Sequence, residues 1–319
     1  MTLRVLRRLR VADDVLVLDL GADDDAALPA WEPGAHIDVR LGNGLTRQYS
    51  LCGDPAQRSV YRIAVLREAE GRGRGGSAYV HDRLHEDARV EIGGPRNHFR
   101  LEPAARHRFV AGGIGITPII AMIGACRRAG TPWSLDYGGR ARSSMAFLDA
   151  LPESAHARIH PEDTDGPIDV ARALDGLADD ELVYVCGPTG LISAVTDEAA
   201  RRGRADAVRY ERFAADGVAP LGDGETAEGA DGAFEVVLAQ TGTTLTVGAD
   251  QTVLECLRAA GVDVFTDCEE GLCGSCECQV LEGEVDHRDH VLTRAERAAS
   301  RSMMVCVSRA KSSRLVLDT

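Results

Sequence analysis

The stretch Asp267-Cys268-Glu269-Glu270-Gly271-Leu272-Cys273-Gly274-Ser275-Cys276, followed after twenty-nine residues by Cys306, decides how this chain is read. Three thiols on one tight loop and a fourth on a distant segment have the spacing of a plant-type [2Fe–2S] site. Gly271, Gly274 and Ser275 let such a loop fold closely and aim backbone N–H groups at sulfur. Two other uses of cysteine compete. A disulfide set goes with secretion, of which the sequence carries no other sign. Zinc sites usually show two C-x2-C knuckles or His partners, and here there is one knuckle. Cys268, Cys273, Cys276 and Cys306 are therefore the expected metal ligands, holding a centre that moves one electron at a time. Cys278, in the strand-like run Glu277-Cys278-Gln279-Val280-Leu281, reads as a packing residue, with replacement of a ligand as the alternative.

The 319 residues suffice for two or three domains, and 44% hydrophobic with 27% charged residues is a globular composition. The start, Met1-Thr2-Leu3-Arg4-Val5-Leu6-Arg7-Arg8-Leu9-Arg10, has charge but no apolar core. Neither a secretory signal nor a membrane anchor is expected, and no run approaches the length of a membrane span. Nine cysteines without a signal point to a reducing, cytoplasmic setting. A net charge of −14 argues against nucleic acid as a partner and suits docking on a basic patch of another protein. A monomer is expected.

Composition shifts divide the chain. Over 1–103, short strands (Val15–Leu20, His36–Leu41, Arg47–Leu51, Val60–Leu66, Ala88–Ile92) are punctuated by Gly, Pro, Asp and Asn, with one helix from Gly76-Ser77 to about Leu84. This predicts an antiparallel barrel or sandwich. Over 104–213, strands Arg108–Ala111, Trp133–Tyr137, Glu181–Cys186 and Val208–Phe213 alternate with helices Thr117–Ala129, Ser144–Leu151, Asp169–Leu177 and Gly190–Arg202. That alternation predicts a parallel α/β sheet. Residues 214–231 are acidic, almost free of bulky apolar side chains, and read as a linker. Over 232–319, a hairpin around Gly242 and a helix Thr252–Ala260 precede the cysteine loop, giving a small α+β domain.

The strand-to-helix turn Gly112-Gly113-Ile114-Gly115-Ile116-Thr117-Pro118 suits a pyrophosphate approaching backbone N–H groups, although a plain tight turn is as good a reading of it alone. A second strand ends in Cys186-Gly187-Pro188. In a parallel sheet both strand ends face one crevice, and together they favour a nucleotide site. Asp136 lies inside its strand, and Arg140, Arg142, Ser143 and Ser144 follow, so NADH and NADPH both stay open. A nicotinamide gives two electrons and a [2Fe–2S] centre takes one, so a flavin is expected between them. Arg47-Gln48-Tyr49-Ser50 offers a phosphate partner in Arg47, a ring in Tyr49 and a hydroxyl in Ser50. Arg72-Gly73-Arg74-Gly75-Gly76-Ser77 opens a helix and offers an anion site; a solvated basic loop is the alternative for its arginines.

These motifs occur in one order that resembles the phthalate dioxygenase reductase family, which includes vanillate O-demethylase reductases. Gly94-Pro95-Arg96-Asn97-His98-Phe99 is also similar to that family's text. The resemblance covers essentially the whole chain. It implies an FMN-binding β-barrel, a ferredoxin-reductase-like NAD domain and a C-terminal β-grasp ferredoxin domain. Electrons would pass from NADH through FMN and the cluster to a separate oxygenase. It implies that Arg47, Tyr49 and Ser50 meet the flavin and that Gly75, Gly76 and Ser77 hold its phosphate; Gln48 and Arg74, beside them, are further expected contacts. It places the nucleotide on Gly112, Gly113, Gly115 and Thr117, and Pro118, Arg140, Gly187 and Pro188 are further expected contacts. Cys186 would adjoin the nicotinamide and Phe213 would cover the flavin. Gln48 stands where the family often has Thr, and Gly138-Gly139 replaces a more usual Cys-Ala.

The expected acceptor is a Rieske-type oxygenase or O-demethylase, with a cytochrome P450 as the alternative. A passive iron–sulfur carrier conflicts with the intact nucleotide and flavin motifs. A self-contained oxygenase would need its own iron site. The best candidates for it, His287 and His290 in Asp286-His287-Arg288-Asp289-His290, read as surface residues.

Overall fold

Alternating apolar side chains build the first sheet, because successive residues of a strand face opposite sides. The computed structural model describes residues 1–24, 26–69, 75–151, 156–213, 232–264, 266, 269, 271, 274–289, 291–292 and 294–319. The expected linker at 214–231 lies outside the described residues. By internal contact the chain divides into two units, Met1–Phe213 and Ala214–Thr319.

The first unit opens with β1 (Thr2–Ala12), β2 (Val15–Gly21), β3 (His36–Arg40), β4 (Thr46–Ser50), β5 (Tyr61–Leu66), helix α1 (Gly76–Arg83) and β6 (Arg89–Arg96). The strands form one antiparallel sheet in the order β4-β3-β6-β1-β2-β5. Leu51 bridges Ile63, and Cys52 N–H donates to Arg62 O at 2.9 Å, which joins the two edges into a barrel. Leu3, Val5, Leu18, Leu20, Ile37, Val39 and Ile63 fill its interior. Strand β1 was not among the expected strands. Only its Leu3 and Val5 are buried, and the arginines along the rest hide the alternation.

The same unit continues with β7 (Arg106–Gly112), α2 (Ile116–Ala129), β8 (Trp133–Gly139), β9 (Ala157–Pro161), α3 (Glu162–Asp165), α4 (Val170–Ala173), β10 (Glu181–Cys186), α5 (Thr189–Arg201) and β11 (Val208–Glu211). These strands make a parallel sheet in the order β11-β10-β7-β8-β9. On one face Phe109, Leu135, Tyr137 and Tyr184 pack with Ile119, Met122 and Ile123 of α2. On the other, Val110, Val183 and Val185 pack with Ile192, Val195 and Ala199 of α5. Two expectations need correction. The stretch expected as a helix over Ser144–Leu151 holds only the end of one 3-10 turn (Arg142–Ser144) and a second turn (Leu148–Ala150), because Phe147 takes φ +63° and interrupts it. The helix expected over Asp169–Leu177 is cut to Val170–Ala173, capped by the Asp169 side chain. The α2-side core runs on into the barrel through Val15, Val17, Cys52, Ala64 and Phe99.

The second unit contains β12 (Phe234–Leu238), β13 (Thr244–Val247), α6 (Val253–Ala259), β14 (Glu277–Glu282), β15 (Val285–Asp286), α7 (Arg294–Ala299), β16 (Ser302–Met304), β17 (Arg309–Ala310) and β18 (Arg314–Leu317). The main sheet runs β13-β12-β18-β14-β16, with β12 and β18 parallel and the other pairs antiparallel. The hairpin forms around Gly242, whose φ of +71° favours glycine. Thr252 starts α6 with a capping box: its hydroxyl accepts from Glu255 N–H at 3.1 Å, and its own N–H donates to Glu255 Oε2 at 2.8 Å. Among the described residues no helix is long and apolar enough to cross a membrane.

Candidate functional site

In the second unit, Cys276 precedes β14 and Cys306 follows β16, and the β14–β16 pairing brings them together. Their Sγ atoms lie 3.1 Å apart in a buried setting. A disulfide would need about 2.05 Å. Two thiols this close suit a shared metal ion, so the pair fits an iron–sulfur site. Cys268 and Cys273 lie outside the described residues. Cys278 is buried in the core of this unit, in keeping with a packing role. Burial pushes its thiol up to about 11. His287 departs from its reading as a surface residue: it is buried, at 8% exposure. His290 lies outside the described residues.

In the first unit, Arg47 of β4 meets the start of α1. A Cβ at Gly76 would stand 2.7 Å from Arg47 Nε, so glycine is what lets the guanidinium cross the helix N-terminus. Gly75 before it takes φ +82°. Cation, glycines and the helix N-terminus thus gather at one point, which fits a phosphate. Ser77 reaches the same place, but Glu68 does too. Glu68 N–H donates to Ser77 Oγ at 3.1 Å, and the Ser77 hydroxyl faces Glu68 Oε2 at 3.3 Å. Arg74 lies outside the described residues. Tyr49 packs against the barrel core, and burial raises its phenol well above the ordinary value, so it stays neutral. The Gln48 side chain is committed elsewhere, donating to Asp38 Oδ1 at 3.2 Å.

The two glycine motifs of the parallel sheet also meet. A Cβ at Gly115 would lie 2.2 Å from Cys186 O, and one at Gly112 would lie 2.6 Å from Pro188 Cδ. A Cβ at Gly187 would lie 2.8 Å from Gly112 N. These glycines let the ends of β7 and β10 touch backbone to backbone. Gly113, at φ +53°, has open space around it. Pro118 and Thr117 are buried in the first turn of α2, and Thr117 Oγ1 donates to Ile114 O at 3.0 Å. Asp136 is buried and taken: Arg158 donates to it at 2.7 and 2.5 Å, and His160 Nε2 lies 2.9 Å away. Its carboxylate is thus engaged inside the protein rather than presented at the strand end. Arg140 is exposed at the end of β8, with no side-chain partner among the described residues.

One more group meets the predicted ones. Cys186 is fully buried and pairs in register with Glu211 at the end of β11. Ser50, at the end of β4, donates to Glu211 Oε2 over a long 3.4 Å. Burial raises the Cys186 thiol well above its ordinary value, with Glu211 adding to the shift, so it is a neutral wall rather than a nucleophile. Glu211 as a residue is half-buried, but protein surrounds its carboxyl. Burial raises it to about 8, opposed by the Ser50 hydrogen bond. The sequence reading passed over Glu211. A carboxylate at the C-terminal end of an edge strand, two residues before Phe213, was the available signal. Phe213 itself is 41% exposed.

The 2Fe-2S iron-sulfur cluster binding domain family matches residues 236–311. Over 313 residues the chain is 43% identical to the phenoxybenzoate dioxygenase subunit beta of Ectopseudomonas oleovorans, covering 96% of this chain and 93% of that one. Phthalate dioxygenase reductase superposes with a TM-score of 0.70 at 36% identity, covering 100% of this chain and 98% of the other. An intact type IV self-sufficient cytochrome P450 monooxygenase superposes with a TM-score of 0.85 at 44% identity. That match covers 100% of this chain, which spans 41% of the P450 chain.

Proposed function

We propose that this chain, which belongs to the phthalate dioxygenase reductase family, is the reductase component of an oxygenase system. It takes electrons from NADH through FMN to a [2Fe–2S] cluster and on to a separate oxygenase. The observation that carries this reading is the convergence of Ser50, Cys186 and Glu211, which sets the end of the flavin strand against the nucleotide edge of the parallel sheet. A bound flavin supplies the change from hydride to single-electron chemistry that the nicotinamide and the cluster require.

In this reading Arg47, Arg74, Gly75, Gly76 and Ser77 hold the flavin phosphate, while Tyr49 and Gln48 lie along the flavin. Gly112, Gly113, Gly115, Thr117, Pro118, Gly187 and Pro188 shape the nucleotide crevice, and Arg140 stands at its adenosine end. Ser50 and Cys186 line the place of hydride transfer, and Phe213 covers it until the nicotinamide enters. The residues contribute proximity and a dry, neutral wall. Glu211 is protonated at neutral pH and holds a proton beside Ser50. Residues 1–103 form the flavin module, 104–213 the nucleotide module and 232–319 the iron–sulfur module, with 214–231 as tether.

The protein works in the cytoplasm, and its acceptor is a Rieske-type oxygenase or O-demethylase. The likeness to a self-sufficient P450 favours a second reading, in which a P450 receives the electrons. Anaerobic absorption spectra test the relay. NADH should bleach flavin and cluster bands together, and the released flavin should be FMN. Spectra unchanged by NADH and by NADPH would leave only a passive carrier.

A further inference from the structure

The segment Asp286-His287-Arg288-Asp289-His290 has no part in the function so far, yet Asp289 is fully buried, at 0% exposure, and held by several hydrogen bonds. Its Oδ2 accepts from Val291 N–H at 3.0 Å and Leu292 N–H at 2.9 Å. Its Oδ1 accepts from Ser308 Oγ at 3.4 Å, and Ser308 stands two residues past Cys306. Ser308 in turn accepts from Arg288 N–H at 3.1 Å and donates its own N–H to Met304 O at 2.9 Å. Arg297 of α7 donates to Asp289 O at 2.6 Å and Leu292 O at 3.1 Å, and clamps the turn from outside.

The turn also bears on the cysteine loop. Gly271 takes φ +70°, and a Cβ there would lie 3.1 Å from Asp289 Cα and 2.6 Å from Val307 Cγ2. The loop that leads to Cys276 and the segment that carries Cys306 therefore both rest on the Asp289 turn. The acid is ionised at neutral pH. Burial alone would raise it, but the His287 ring, the two backbone N–H groups and the Arg297 guanidinium hold it down at about 2. His287 Nδ1 faces Asp289 Oδ1 at 3.6 Å, longer than an ordinary hydrogen bond.

We propose that Asp289 is a positioning residue for the iron–sulfur site, tying the cysteine loop to the Cys306 segment and setting a fixed negative charge beside them. This rests on the reading of the four cysteines as cluster ligands. A buried negative charge disfavours an added electron nearby, and low local dielectric preserves the effect.

The test uses the full-length protein, with iron and sulfide analysis, electron paramagnetic resonance and a redox titration. Asp289→Asn keeps an oxygen acceptor for the turn and removes the charge. The expected result is a loaded cluster whose reduced-to-oxidised ratio at fixed potential rises about tenfold, or 59 mV for one electron. A loaded cluster with wild-type potential and resonance would overturn the proposal. If the Asn variant purifies without cluster, Ser308→Ala decides, since it keeps the charge and cuts the link to the Cys306 segment. Loss of cluster to a chelator at least about threefold faster than wild type supports the tie, and a wild-type rate sinks it. Wild-type protein that holds no cluster would instead sink the reading of the cysteines.

Discussion

Glu211 and Asp289 are both acids crowded by protein, and their surroundings push them in opposite directions. Glu211 has one long hydrogen bond from Ser50 and a neutral thiol across the strand pair, so burial wins and its carboxyl rises to about 8. Asp289 faces the His287 ring, two backbone N–H groups and a nearby guanidinium, which together outweigh burial, so it falls to about 2. The difference teaches that burial alone does not set the charge of a carboxyl; the number and geometry of its donors do. It also separates two tasks. A carboxyl that keeps its proton belongs beside hydride chemistry, and one that keeps its charge can brace a loop.

Truncation should separate the two most strongly. Asp289→Ala leaves the Val291 and Leu292 N–H groups without their acceptor, and urea unfolding should show a loss of about 3 kcal/mol in the second unit. Glu211→Ala gives up one long bond but also removes the cost of keeping a buried carboxyl protonated at pH 7, so it should not destabilise the first unit. Equal losses would break the contrast.

Alkaline titration comes next. The folded Glu211 carboxyl ionises near 8 and the unfolded one near its ordinary value, so between them the folded state binds the extra proton. Stability from this group is full at low pH and falls as pH rises towards 8, by no more than about 1.4 kcal/mol per pH unit. Glu211→Gln should remove that slope in urea melts across pH 5 to 8. The rate of flavin reduction by NADH should fall through about pH 8 in the wild type and stay level in Glu211→Gln. A slope that survives the substitution would assign it elsewhere.

The acid limb has the opposite sign. Asp289 contributes stability above its unfolded value that is lost as pH falls towards 2. Asp289→Asn should flatten that limb in acid melts and leave the alkaline one alone. The smallest effect is expected from Ser50→Ala. Loss of its hydroxyl takes away the one bond that opposes the rise of Glu211, so the midpoint of the NADH reduction profile should move upward. A downward move would mean that Ser50 does not donate to Glu211.

Much of this arrangement was legible in the chain. Gly76, Gly112 and Gly115 announce close approach because only glycine tolerates it, and the structure places Arg47, Pro188 and Cys186 against them; Gly75 and Gly113 serve instead through positive φ. Periodicity located most strands, since their buried faces alternate. It failed at β1, where arginines interrupt the pattern, and at Ser144–Leu151, where one residue at positive φ breaks a run of good helix formers. Glu211 and Asp289 were illegible for a different reason. Glu211 is set by burial and by Ser50, 161 residues away, and Asp289 is tied to Ser308, 19 residues away; no local pattern records burial or such pairings.

The core that runs from Val15, Val17, Ala64 and Phe99 into Phe109, Ile119 and Met122 has a consequence for recombination. A crossover near residue 103 would split that core and pair each half with a wall shaped for a different partner. Exchange between related genes therefore works best with residues 1–213 as one block, so flavin choice and nucleotide choice are inherited together.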